Sequence, residues 1–116
     1  MKELRGNRIG IDQGDLVLFS DFEDNGEMWT GCGQRERRRR IKFSEVYSEP
    51  PVVQLSLSLW DMDAATVLRA DLSAEAVTTD GFDMVFRTWG DTRVARVRVA
   101  WMALGQLQSD DEWDVH

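Results

Sequence analysis

Histidine occurs once in this sequence, as the final residue His116, and cysteine occurs once, as Cys32. A Ser-His-Asp or Cys-His nucleophilic centre needs a histidine inside the fold, and a histidine-based metal site needs several. One thiol can form neither an internal disulfide nor a cysteine-rich zinc site, and a lone, partly buried thiol is expected. Most hydrolase chemistry is thereby excluded, so the expectation is a protein with no enzymatic activity, no cofactor and no metal. No apolar run approaches the roughly 18 residues of a membrane helix. The opening segment MKELRGNRIG has no hydrophobic core of signal-peptide type. No membrane insertion is expected, and the cytoplasm is the default compartment; export by a route without such a signal, or release on a particle, stays open. Basic residues are the minority, 14 against 21 acidic, for a net charge of −7. That balance opposes non-specific binding to nucleic acid or to an anionic membrane.

The chain has 116 residues, of which 42% are hydrophobic, enough for one packed domain. That domain is expected over 1–108, followed by an acidic, frayed tail over 109–116 (SDDEWDVH), which holds Trp113. Period-two alternation dominates. In VVQLSLSLW (52–60), Val53, Leu55, Leu57 and Leu59 share one face. Similar alternation runs through LRADLSAE (68–75), FDMVFR (82–87) and RVARVRVAWMA (93–103). Two further strands are expected at RRRIKF (38–43) and near DLVLFS (15–20). Pro50-Pro51 forces an extended approach to the strand that follows. No stretch has a convincing helical period. The fold class expected is all-β: a six-stranded antiparallel sandwich, two sheets face to face. Residues 21–36 read as one long glycine-containing loop, of the kind that is mobile or functional.

Three motifs invite a functional reading. RERRRR (35–40) suggests phosphate or RNA, but on a strand its arginines alternate between faces, and Asp71 or Glu75 on other strands can pair with them. WDMD (60–63) lacks the rest of a calcium loop and reads as a turn with local hydrogen bonds. TWGDT (88–92) sets a tryptophan in a turn that leaves it partly open to water. A ring held this way offers a flat apolar surface to the C–H face of a pyranose, while a carboxylate and a guanidinium nearby take the hydroxyls; Asp91 and Arg69 suit that role. Trp29 and Trp60 also fall in loops or at strand ends, whereas Trp101 belongs to the core.

The ordered elements IKF (41–43), EPPVVQLSLSLWD (49–61), LRADLSAEAVTTDGF (68–82) and FRTWGDTRVARVRVAWMALG (86–105) resemble the H-type lectin domain. This is the family of snail agglutinins and of the C-terminal domain of slime-mould discoidins. The resemblance implies a homotrimer of β-sandwiches and a metal-free site for galactose-type sugars, often N-acetylgalactosamine, between neighbouring protomers. It implies that Arg69 hydrogen-bonds the sugar and that Trp89 and Gly90 line the site, to which the residue reading adds Asp91. It further implies that a loop around Thr30, Gly31, Cys32 and Gly33 reaches the site from the neighbouring protomer. The chain has Gly90 where the agglutinin pattern has histidine, Cys32 near its aspartate and Ala95 near its tyrosine. A different sugar or a surface polysaccharide therefore remains open, as does a trimeric assembly module of a spike or fibre without a sugar site. An RNA- or polyanion-binding sheet using residues 35–40 and Trp29 is the third alternative.

Overall fold

The computed structural model describes residues 1–108, so the acidic tail at 109–116, with Trp113, lies outside the described residues. Six strands form: β1 (Ile9–Ser20), β2 (Arg35–Lys42), β3 (Val52–Met62), β4 (Asp71–Glu75), β5 (Gly81–Thr88) and β6 (Val94–Gln106), with a one-turn helix α1 (Glu27–Thr30) before β2. They make two three-stranded antiparallel sheets, ordered β1-β6-β3 and β2-β5-β4. The alternation in β3, β5 and β6 does what period two requires: every second side chain turns inward. Val97, Val99, Trp101 and Ala103 of the first sheet join Phe82, Met84 and Phe86 of the second in one core. Aromatic pairs cross between the sheets, Phe19 to Phe86 at 5.5 Å and Phe82 to Trp101 at 5.5 Å between ring centroids. No helix among the described residues is long and apolar enough to cross a membrane.

Besides β2, which begins at Arg35 and not at residue 38, three features depart from the sequence expectation. Strand β1 starts at Ile9, well before residue 15, because its early inward positions are Gly10, Asp12 and Gly14 while Ile9 and Ile11 face outward. The usual apolar-inward signal is thus inverted there. Gly14 sits opposite Trp101 in the ladder, and the indole lies so close that a Cβ would collide with it. Strand β4 begins at Asp71 and not at residue 68. Upstream of it, side chains take the backbone carbonyls: the Thr88 hydroxyl donates to Arg69 O at 2.6 Å, and the Thr92 hydroxyl donates to Val67 O. The third difference is α1, inside the segment read as loop.

The outer faces of the two sheets differ in kind. Across β2-β5-β4, Arg38 donates to Asp83 at 2.8 Å and Glu75 at 3.1 Å, and Arg87 donates to Glu75 at 2.7 Å and Glu36 at 2.9 Å. Beneath this ion-pair lattice Val85 is fully buried. The inward arginines of β2 reach the first sheet instead: Arg37 pairs with Asp21 at 2.7 Å and lies over the Phe19 ring. Hydrogen bonds from Arg87 and Ser73, with Arg38 beside them, lower the Glu75 carboxyl from 4.5 to about 2.

A carboxyl lowered by folding stabilises the fold above its unfolded value, and that contribution disappears as pH falls through the folded one. Stability of the wild-type protein is therefore expected to decline between about pH 4.5 and 2, and Glu75→Gln should flatten that decline. Denaturant midpoints of both proteins across this range make the comparison; parallel curves would remove Glu75 as a cause.

Candidate functional site

The two groups of residues singled out in the sequence meet at one end of the second sheet. Strand β5 ends at Thr88, and its last polar side chain turns inward and is buried. Trp89 follows, 44% exposed, and Gly90 takes φ +68°, a left-handed conformation that glycine adopts without strain. The Arg69 guanidinium lies across this glycine. Its Nη1 donates to Asp91 Oδ1 at 2.7 Å, to Thr92 Oγ1 at 3.1 Å and to Trp89 O at 3.4 Å. A Cβ on Gly90 would stand 2.7 Å from that nitrogen. The bond from Arg69 also holds the Asp91 carboxyl below its ordinary range. Each residue of TWGDT is thus accounted for. Two buried threonines pin residues 67 and 69, the glycine admits the guanidinium, the aspartate holds it, and the tryptophan stays open.

The second group arrives through Arg35, to which the sequence gives no separate role. Arg35 opens the arginine run, yet it is only 6% exposed. Its guanidinium donates to four carbonyls: Gly33 at 3.0 Å, Met28 at 3.1 Å, Glu27 at 3.4 Å and Gly90 at 3.2 Å. The Gly33 N–H donates to Gly90 O as well, at 2.9 Å. The loop after α1 is therefore seated on the 88–92 turn of its own chain. Within that loop only Gly33 bonds the turn. Thr30 turns back, its hydroxyl donating to Gly26 O at 3.1 Å, and Gly31 N donates to Glu27 O. Cys32 is exposed and not partly buried as expected, since it stands between Gly31 and the positive-φ Gly33. Buried Asp21 steadies the same segment by accepting from Met28 N at 3.0 Å.

Trp29 is not an open platform: the Arg93 guanidinium covers it at 4.1 Å and Phe22 meets it edge-on at 5.0 Å. Asp63 makes the expected turn, accepting from Ala65 N at 2.9 Å, and also pairs with Arg93. Trp60 is exposed and Trp101 is in the core. Beside Trp89 a groove of about 460 Å³ opens, lined by Gln34, Arg35, Glu36, Asp71, Arg87 and Thr88. A larger hollow, about 660 Å³, lies on the outer face of the first sheet over Ala100, Ser56 and Gln13. Nothing in the sequence separates Arg35 from its neighbours, because its burial depends on strand phase and on what packs over the end of β2.

The H-type lectin domain profile matches residues 38–104. A protein of Fuscovulum blasticum described as ATP synthase subunits region ORF 7 is 49% identical over 110 residues, 95% of this chain and 96% of that one. A discoidin-1 chain of Dictyostelium discoideum is 35% identical over 81 residues, 69% of this chain and 32% of that one. The native structure of recombinant discoidin II of Dictyostelium discoideum superposes with a TM-score of 0.74 at 23% identity, covering 90% of this chain and 39% of the other. The chain thus spans about a third of the length of the discoidins it matches.

Arg35→Met keeps most of the volume and removes one donor from each of four carbonyls, of which Gly90 O and Glu27 O keep a backbone N–H. A loss of about 2–4 kcal/mol is expected, with faster exchange of the Gly33 amide. Gly90→Ala should cost about 1 kcal/mol or more, because its φ is wrong for alanine and the added methyl meets Arg69. Equilibrium unfolding and amide exchange measure both; a Gly90→Ala protein as stable as wild type would show that the turn yields easily.

Proposed function

The chain belongs to the H-type lectin family, and on that premise we propose that it is a carbohydrate-binding protein without catalytic activity. It works as a homotrimer, its ligands are galactose- or N-acetylgalactosamine-type sugars or a surface polysaccharide, and it needs no metal. One observation carries the reading. Arg69 is fixed through Nη1 alone, while its Nε and Nη2 have no partner among the described residues, and exposed Trp89 stands beside it. A guanidinium pinned at one nitrogen presents its remaining donors in a set direction, which suits paired hydroxyls, and the indole supplies the stacking surface.

Self-association is supported by the outer face of the first sheet. Val52, Leu104 and Ile11 lie in cross-strand register, with Met102 on the next outward rung; Ile11 is 66% exposed. An apolar patch of this kind marks an interaction surface, and the ion-paired outer face of the second sheet offers none. Each sugar site is weak alone, and three on one rigid body raise avidity by roughly 10²–10⁴ where spacing permits. The arginine run does not favour a polyanion: Arg35 is bonded to carbonyls, and Arg37, Arg38 and Arg40 are ion-paired.

A second reading, a trimeric assembly module of a spike or fibre with its sugar site altered, draws support from the Arg69–Asp91 ion pair. A glycan array that includes bacterial polysaccharides separates the two. Galactose-type binding is expected, abolished in Arg69→Ala and Trp89→Ala with the trimer intact. A silent array from a well-folded trimer would leave the assembly reading. Ile11→Asp combined with Met102→Asp should give monomers by sedimentation and forfeit the avidity; a trimer surviving both changes would place the contact elsewhere.

A further inference from the structure

We propose that the groove beside Trp89 is a second carbohydrate subsite, which takes the neutral sugar residue next to the one held at Arg69; this rests on the carbohydrate-binding reading above. At about 460 Å³ the groove falls within the range of small-molecule sites, about 300–1,000 Å³. It is built on strands, with Glu36 on β2, Arg87 and Thr88 on β5, and Asp71 on β4. Trp89 stands on its rim and is shared with the Arg69 site. Asp71 follows Arg69 by two residues, roughly 7 Å of extended chain, a span that one sugar ring bridges.

The chemistry of the lining selects the ligand. Arg35 is committed to backbone carbonyls, and Arg87 is committed to Glu36 and Glu75. Neither is available to neutralise an anion. Asp71 and Gln34 have no side-chain hydrogen-bond or ion-pair partner among the described residues, and both are exposed at the groove. A carboxylate offers acceptors only, and an amide offers both donors and an acceptor, so together they fit vicinal hydroxyls. Arg35 keeps its charge buried against carbonyls, so the exposed charge without a counter-ion at the groove, among the described residues, is that of Asp71. An anionic second residue is repelled by it, and a neutral one is accepted.

Calorimetric titration with galactose, lactose and lactobionate tests the assignment. Galactose probes the Arg69 site alone, lactose adds a neutral second ring, and lactobionate replaces that ring with an open-chain residue that carries a carboxylate. Wild type is expected to bind lactose about 5–10-fold more tightly than galactose, as one or two added hydrogen bonds allow, and lactobionate no more tightly than galactose. Asp71→Ala and Gln34→Ala should each remove most of the lactose advantage while leaving galactose affinity within about twofold and the thermal midpoint unchanged. Arg69→Ala should remove binding of all three. Galactose binding without a lactose advantage, or a lactose advantage that survives both groove variants, would overturn the subsite and leave the lectin reading standing. Wild-type silence toward all three sugars would overturn the subsite together with the galactose assignment, and binding to another glycan on the array would then show that the lectin reading itself stands.

Discussion

A buried cation with no carboxylate beside it organises this end of the molecule. The Arg35 guanidinium is enclosed by carbonyl oxygens from α1, from the glycine loop and from the 88–92 turn. Carbonyls at the end of a helical turn carry partial negative charge and lack intrahelical partners, so they suit a guanidinium. Such a charge is tolerable only when its donors are satisfied. The arrangement is therefore demanding: the loop and the turn must both be in place before the arginine can be. The candidate site inherits its geometry from that requirement, since Gly90, over which Arg69 lies, supplies one of the four acceptors.

Much of the architecture was legible from alternation. β3, β5 and β6 carry apolar residues at every second position, and the pairing of sheet faces follows from them. The family resemblance added the order of elements and gave expected roles to Arg69 and Trp89, which the TWGDT turn and its neighbouring charges had already singled out. Illegible parts have particular causes. Strand β1 hides its beginning because glycine and aspartate occupy its inward positions and isoleucine its outward ones. Strand β4 looks longer than it is, since the ladder upstream is replaced by threonine hydroxyls 19 and 25 residues away in sequence. Arg35 could not be told from Arg37 or Arg39 without knowing the phase of the strand and the cover above it. The groove residues Gln34, Glu36, Asp71 and Arg87 come together only through the pairing of β2, β5 and β4.

The asymmetry between the two outer faces bears on how the protein meets others. The β2-β5-β4 face hides an apolar valine under reciprocal ion pairs, each of modest worth singly but mutually fixed. Its charges already face each other, so it has little to gain from a partner. The β1-β6-β3 face leaves aliphatic side chains in register, and burying them against a copy of itself is the hydrophobic gain available. The candidate site lies at the end of the second sheet, where its groove borders the ion-paired face through Glu36 and Arg87.

Strand order has a consequence for how the molecule is made. The centre of the first sheet is β6, residues 94–106, while both of its neighbours, β1 and β3, come earlier in the chain. Neither early strand has a partner in its own sheet until the last one has left the ribosome. Until β6 is made, two aliphatic strands wait without a partner in their own sheet, and non-local pairing of this kind is slow and vulnerable to aggregation. Closure of the first sheet therefore waits on the last of the six strands.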